Sequence, residues 1–310
     1  MKKILYTSIA VSVMLLLITV GYFYNQYKLV EKTVGEMQIS FDKDNNSIRE
    51  KVKKSESVLF LLLGIGDRPG DPGRADSIMC ISVNQTDKSI LMFNIPRDTR
   101  TEIIGKGIQD KINHSYAYGR TEMTKNTVEH FLGQSIDYVV QINMQGMRQL
   151  VDTIDGIEVE NAFAFSQGDE LGQQTYHFDK GLIQLDGERA LHYSRMRKKD
   201  PRGDLGRNER QRQVLQALVQ KATAFSSVLK IKEVVGVLGE NIKTNISFEE
   251  MKFFYSQFAK EWKNYDIETM EIKGNDKTID GIYYYTVSDE ERENIADRLE
   301  EHLNSGFVKK

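Results

Sequence analysis

From Ile4 to Tyr24 the chain runs 21 residues without a charge, behind the basic pair Lys2-Lys3. As a helix this run spans roughly 30 Å, one hydrocarbon thickness. A bilayer is the environment that most readily accepts such a run, and it fixes on which side the rest must fold. Tyr22, Phe23 and Tyr24 at its far end suit the aromatic belt of a membrane interface. Lys2 and Lys3 keep the N-terminus cytoplasmic, so everything beyond Tyr24 is expected outside. The competing reading is a cleaved signal peptide, which has a shorter apolar core and a small-x-small cleavage site. Thr19-Val20-Gly21 is a poor version of one. The expectation is a cytoplasmic 1–3, a signal anchor over 4–24, and a single-pass protein of the cell membrane.

The remaining chain divides by composition. Residues 25–56 are polar and weakly periodic and include Asp42-Lys43-Asp44-Asn45-Asn46, which suits an extracellular stalk, partly helical. A domain is expected over 57–306, followed by a short tail over 307–310. It opens abruptly with Val58-Leu59-Phe60-Leu61-Leu62-Leu63-Gly64, a continuous apolar run of buried-strand length. Ser77–Asn84, Ser89–Ile95, Ile136–Ile142, Ile157–Glu160, Ile267–Ile272 and Ile282–Thr286 also read as strands. Helices are expected from Thr121 to before Gly133, over Met144–Ile154, Leu185–Tyr193, Asn208–Thr223, Val228–Leu238 and Phe248–Trp262, and from Ser288 to Leu303. Ser288 and Glu291 form a capping box there. Strands and helices mixed in this order predict an α/β fold, a central mixed sheet with helices on both faces, behind one transmembrane helix. The single cysteine, Cys80, lies in an apolar run; it rules out an intrachain disulfide and reads as a small buried side chain.

The basic residues are concentrated. Between Arg195 and Arg212 eight bases meet three acids, a local charge of +5 in a chain of formal net charge -3, so the remainder carries about -8. A positive patch on a mildly acidic protein points to an anionic ligand. Arg195 and Arg197 are two apart, which in extended backbone puts them on one side. Arg207 and Gln211 are four apart and share a helical face, which Val214 and Leu218 continue as apolar residues. The N-terminus of that helix adds free N–H groups and a positive dipole end. Arg195, Arg197 and Arg207 flank apolar helical positions and are read as site residues. Lys198, Lys199, Arg202, Arg210 and Arg212 are read as solvated surface charges.

Gly64-Ile65-Gly66-Asp67 ends one strand and Arg74-Ala75-Asp76-Ser77 opens the next. Two carboxylates at neighbouring strand ends suit a hard cation such as magnesium, shared with substrate phosphates; a plain glycine-aspartate turn fits the same residues. No Gly-Lys-Ser/Thr follows, which argues against a nucleotide-binding phosphate loop. Ile95-Pro96-Arg97-Asp98-Thr99 closes a buried strand, with Arg97 available to an anion and Asp98 to hold an arginine in place. Lys111 precedes a helix in the same manner. His114 and His192 are solitary and read as structural groups.

Six segments in this order resemble the LytR–CpsA–Psr family of wall-polymer ligases: Gly64–Asp67, Arg74–Ser77, Ile95–Thr99, Asp110–His114, Leu185–Arg197 and Gly203–Gln211. The likeness extends over anchor, stalk and catalytic domain and is nearest to the subgroup that joins teichoic acids to peptidoglycan. The resemblance implies a polyprenyl-pyrophosphate-linked glycopolymer as donor, its lipid in an apolar pocket, and a peptidoglycan acceptor attacked through the 6-hydroxyl of N-acetylmuramic acid. It implies pyrophosphate contacts from Arg97, Lys111, Arg195, Arg197, Arg207 and Gln211, and Mg2+ (or Mn2+) at Asp67 and Asp76. Asp76 and Arg97 are expected to be catalytic, with Asp76 accepting the hydroxyl proton, and no nucleotide is expected, because the pyrophosphate bond carries the driving force. A hydrolase of polyprenyl pyrophosphate would use the same site. A non-enzymatic nucleic-acid binder is disfavoured, because the patch is expected outside the cell and lacks interleaved aromatics.

Overall fold

The computed structural model describes residues 21–22, 24–41, 57–66, 72–169, 173–224, 231–261 and 264–305. The apolar run 4–20 lies outside these residues, and among the described ones no helix is long and apolar enough to cross a membrane. The fold is α/β. Its centre is a six-stranded mixed sheet in the order β11-β6-β1-β2-β3-β12. These strands are β1 (Val58–Gly66), β2 (Arg74–Asn84), β3 (Ser89–Asn94), β6 (Tyr138–Asn143), β11 (Ile242–Thr244) and β12 (Asp266–Glu271). β1, β2 and β3 form an antiparallel meander, while β6 and β12 join its two sides in parallel.

Alternation along each strand explains why these runs are apolar throughout. Leu59, Leu61, Leu63 and Ile65 point into one core, with Ile78, Cys80, Leu91 and Phe93. Val58, Phe60 and Leu62 point into the other, with Met79, Val83, Ile90 and Met92. Successive side chains of a strand face opposite ways, so a sheet covered on both faces needs apolar residues at every position. The first core is closed by α2 (His114–Leu132) and α8 (Asp289–Asn304), through Val128, Phe131, Ile295 and Leu299. The second is closed by α7 (Phe248–Glu261) and by Leu215 of α5 (Asp204–Ala224). A third cluster lies beside the sheet. It is built from α3 (Met144–Thr153), β7 (Ile157–Asn161), the hairpin β8 (Phe165–Gly168) and β9 (Thr175–Phe178), β10 (Gly181–Leu185) and α4 (Gly187–Arg195).

Several boundaries differ from the sequence reading for local reasons. α4 starts at Gly187, because Asp186 caps it by accepting from the Arg189 N–H at 2.8 Å, and Leu185 belongs to β10. α5 starts at Asp204, a turn earlier than expected, which puts Arg207 in its first turn. α2 begins at His114 and kinks at Gly119 and Arg120, the latter at φ 57°; the straight part from Thr121 is the expected helix. The hairpins β4 (Arg100–Ile103) with β5 (Ile108–Lys111) and β8 with β9 were not expected, and neither were β10, β11 or β13 (Asn275–Ile279), which pairs with β14 (Ile282–Thr286). Their strands are short and largely polar, so periodicity does not mark them. Part of the expected stalk packs on the domain. A helix α1 over 24–37 buries Val34 and Met37, and Ile39 N–H donates to the Thr244 carbonyl at 2.9 Å.

The start of β6 is tied to both neighbours by one buried network. Asp137 Oδ2 accepts from the Leu59 N–H at 2.9 Å, and Asn245 accepts from the Val139 N–H at 2.7 Å while donating to the Asp137 carbonyl at 2.9 Å. Replacing Asn245 with alanine strands a buried N–H and a carbonyl. Asn245→Ala is expected to cost about 1–3 kcal/mol in urea unfolding, measured as a lower midpoint at unchanged slope.

Candidate functional site

The site grows from the ends of the central strands, where the meander meets the third cluster. β2 carries Asp76 and Ser77, the turn after β3 carries Arg97 and Asp98, β5 ends in Lys111, and the segment from α4 into α5 carries Arg195, Arg197, Asp204, Arg207 and Gln211. Arg97 donates to Asp76 Oδ1 at 2.7 Å, with Asp98 3.7 Å from its Nε. Lys111 Nζ lies 2.9 Å from the other Asp98 oxygen. Asp204 stands between Arg197 at 3.0 Å and Arg207 at 2.7 Å. Four cations and three carboxylates thus alternate in one cluster.

Burial makes these charges matter. Arg207 is only 7% exposed. Burial pulls its pKa down; Asp204 counters this, while Arg97 and Arg197 add repulsion. Burial also works against the Arg97 charge, but Asp76, then Asp98, outweigh it and its pKa is raised. The Nε atoms of both Arg97 and Arg207 are buried and have no hydrogen-bond partner. A buried donor left unpaired costs about 1–3 kcal/mol, so the cluster is poised for an anion that supplies the missing acceptors.

Gln211 is oriented for the same task. Its Oε1 accepts from Ser77 Oγ at 2.8 Å and from Asn94 Nδ2 at 3.3 Å, which leaves its amide N–H groups to donate. Arg195, Ser77 and Gln211 are among the polar residues lining an otherwise apolar cavity of about 410 Å³. The cavity lies between the β6-β1-β2 side of the sheet and α3, α5 and α6 (Ile231–Asn241). Leu62, Met79, Val140, Met147, Val214 and Leu218 line it.

The expected pairing of Arg195 with Arg197 takes another form. α4 runs through Arg195 and only Met196 is extended, so the two side chains diverge. Arg195 faces the apolar cavity, and Arg197 faces Asp204 and a polar cleft. Arg210 and Arg212 are not solvated as expected. Arg210 is 4% exposed and binds Asp200 at 2.6 Å and the Met196 carbonyl at 2.5 Å, pinning the Arg197 segment. Arg212 donates to Asn94 Oδ1 at 3.0 Å, which orients the Asn94 amide toward Gln211. Asp204 was missed as a site residue; its position three before Arg207 in a helix was the available signal. His114 and His192 pair with Asp110 and Glu188 and stay structural.

Asp67 lies outside the described residues. Among the described residues no three His, Cys, Asp or Glu side chains converge on a metal position. Magnesium, however, typically takes one or two carboxylates and completes its shell with water and phosphate oxygens. Asp76 fits that role. Arg97 holds its Oδ1, and its Oδ2 rests so close to Gly66 that an added Cβ there would lie 2.1 Å away.

The chain as a whole is similar to known proteins. The LytR_cpsA_psr family matches residues 23–301. The Bacillus subtilis polyisoprenyl-teichoic acid–peptidoglycan teichoic acid transferase TagU is 42% identical over 303 residues, spanning 97% of this chain and 96% of the relative. The crystal structure of B. subtilis TagU aligns with a TM-score of 0.65 at 42% identity, covering 82% of this chain and 99% of that one. TagT bound to LIIa-WTA aligns with a TM-score of 0.67 at 28% identity, covering 86% and 95%. With the match running from the first described helix into the last, the chain belongs to the LytR–CpsA–Psr family.

Proposed function

We propose that this chain transfers an anionic glycopolymer of the teichoic-acid type from a polyprenyl-pyrophosphate carrier to peptidoglycan, at the outer face of the cell membrane, where residues 4–24 anchor it. The observation that carries this reading is the contact between two unlike binding surfaces. The cluster of Arg97, Arg197 and Arg207, of which Arg207 is buried, is joined to an apolar cavity through Ser77 beside Asp76 and Gln211 one turn after Arg207, which line that cavity together with Arg195. A ligand that uses both surfaces has a charged head and a greasy tail. The near-full-length likeness to TagU supplies the polymer class and the acceptor.

In this reaction the acceptor hydroxyl oxygen bonds to the phosphorus that bears the glycopolymer. The bond from that phosphorus to the bridging oxygen breaks, its electron pair leaves with polyprenyl phosphate, and the hydroxyl proton ends in solvent. Arg97, Arg207, Lys111 and Gln211 bind the pyrophosphate oxygens and neutralise the charge that grows on the leaving phosphate. Arg195, which lines the cavity, takes the lipid-side phosphate, and Arg197 takes the glycan side. Asp98 and Asp204 hold these cations in place before the ligand arrives. Asp76, with Asp67, would hold Mg2+ or Mn2+, which when bound supplies further charge neutralisation at the phosphates. Arg97 occupies Oδ1 of Asp76, so Oδ2 is the oxygen left to a metal. The pyrophosphate bond carries the driving force, so neither a nucleotide nor a nucleic-acid partner enters.

The test is transfer from a lipid-linked pyrophosphoryl sugar to a peptidoglycan-derived glycan by the full chain. Lipid phosphate should appear only when the glycan is present; release that ignores the glycan would make the protein a hydrolase. Arg197→Ala should lower kcat/KM about 10²-fold or more, yet leave thermal unfolding nearly unchanged, because the side chain is 39% exposed. Asp76→Ala and Gly66→Ala should both lose activity together with its magnesium dependence. Full magnesium dependence in both variants would move the metal elsewhere.

A further inference from the structure

A second cleft, of about 460 Å³, opens on the other flank of the arginine cluster. Asp98, Arg197 and Asp204 form its inner wall, and the β13–β14 hairpin forms its outer wall through Asn275, Asp276, Tyr283 and Tyr285. Its volume is that of a small-ligand site, roughly 300–1,000 Å³. No residue lining it also lines the apolar cavity. The apolar cavity lies against β6, β1 and β2, whereas this cleft lies past the ends of β3 and β12, further along the order of the sheet and beside Arg97.

The hairpin is held to the arginine site rather than merely near it. Tyr285 N–H donates to the Asp98 carbonyl at 2.9 Å, and Thr99 pairs with Tyr285 as a parallel bridge. Tyr285 is further fixed by its hydroxyl on the Ile272 carbonyl at 3.0 Å, with its ring against Gly274, where an added Cβ would lie 2.6 Å from the ring. The Tyr283 hydroxyl donates to Asp276 Oδ1 at 2.7 Å, and Lys111 Nζ lies 5.7 Å from the centre of its ring. Burial, then Asp276, pushes the Tyr283 pKa up, which keeps that hydroxyl a neutral donor. The wall therefore offers an aromatic face, a carboxylate with a second oxygen, and a carboxamide, rigidly placed beside Arg197. A pyranose presents complementary groups: an apolar C–H face for the ring, and hydroxyl and acetamido groups for the polar atoms.

Direction decides which sugar. In-line displacement at phosphorus puts the attacking oxygen opposite the leaving oxygen. With the lipid phosphate leaving toward the apolar cavity, the attacking hydroxyl enters from the hairpin side. We propose that this cleft is the acceptor subsite, in which Tyr283 stacks on a sugar ring of the incoming glycan while Asp276 and Asn275 bind its hydroxyl and acetamido groups. These are positioning residues, and the assignment rests on the transfer reading above.

The test uses the full chain in detergent, with a peptidoglycan-derived glycan oligomer as acceptor and a lipid-linked pyrophosphoryl sugar as donor. Asp276→Asn and Tyr283→Ala should each raise the acceptor KM about tenfold, the loss of one charge-assisted hydrogen bond or one stacking face. The donor KM should stay within about twofold. Tyr283→Phe keeps the ring and should show the smaller effect, which separates stacking from a folding defect; thermal unfolding of each variant checks the fold. A raised donor KM with an unmoved acceptor KM overturns the proposal by giving the cleft to the donor's own glycan. Unmoved constants for both substrates overturn it outright and leave the transfer reading intact. Equilibrium dialysis of the glycan oligomer without donor gives the independent arm. Should the wild-type chain transfer nothing yet bind the oligomer about tenfold more tightly than Asp276→Asn, the subsite stands and the transfer reading falls.

Discussion

Asp204 is the point on which the site depends. It sits in the first turn of α5, where the helix dipole favours a negative charge, and it touches both Arg197 and Arg207. Without it, three guanidinium groups would face one another in a partly buried space, and Arg207 would lose the larger of its two compensating charges, with only Asp76 left. Repulsion of that kind spreads side chains toward water. With it, and with Asp76 and Asp98 on Arg97, the cluster is assembled before any ligand binds. Alternating charge makes it possible for strongly basic residues from three parts of the chain to converge.

Convergence is in turn a consequence of the sheet. Because β1, β2 and β3 are apolar on both faces, they occupy the middle of the domain, and polar residues gather toward the strand ends. Asp76, Arg97 and Lys111 sit at or near such stops. α5 then crosses from the cluster to the cavity wall, presenting Arg207 and Gln211 in its early turns and Val214 and Leu218 in the next. One helix face thus links charge recognition to apolar recognition. The buried pair Asp200–Arg210 fixes the chain just before that helix, and Gly206 makes room for it, since a Cβ there would meet the Asp200 carboxylate.

The parts legible in the sequence were those with strong local signatures. Continuous apolar runs marked β1, β2, β3 and β6, and the 3.6-residue period marked most helices. Arg97, Arg207 and Gln211 could be chosen because each follows or opens an apolar element, and Asp98 was rightly read as a holder of cations. What failed was what depends on tertiary partners. Arg210 and Arg212 look like surface residues by type, and only the positions of Asp200 and Asn94 reveal that the first is buried and the second half-buried and bound. The β13–β14 hairpin reads as exposed in isolation, and its role at the cleft follows from pairing with Thr99, about 190 residues away. The divergence of Arg195 and Arg197 turned on where one helix ended, the least predictable feature of a sequence.

The separation of cavity and cluster bears on how binding energy is used. Burying an isoprenoid tail contributes about 25 cal/mol per Å² of apolar surface, and it contributes equally before and during the reaction. Such uniform binding captures a scarce lipid but does not lower the barrier. The arginine contacts differ, because the leaving phosphate gains charge as its bond to phosphorus breaks, so each guanidinium interaction strengthens on the way to the transition state. A site that relied on arginines for capture would bind the ground state too well and gain less in rate. Here the carboxylates already occupy much of the arginines' charge, which weakens their hold on the resting ligand. In the proposed reaction, capture is left to the cavity, and the change in charge is left to the cluster.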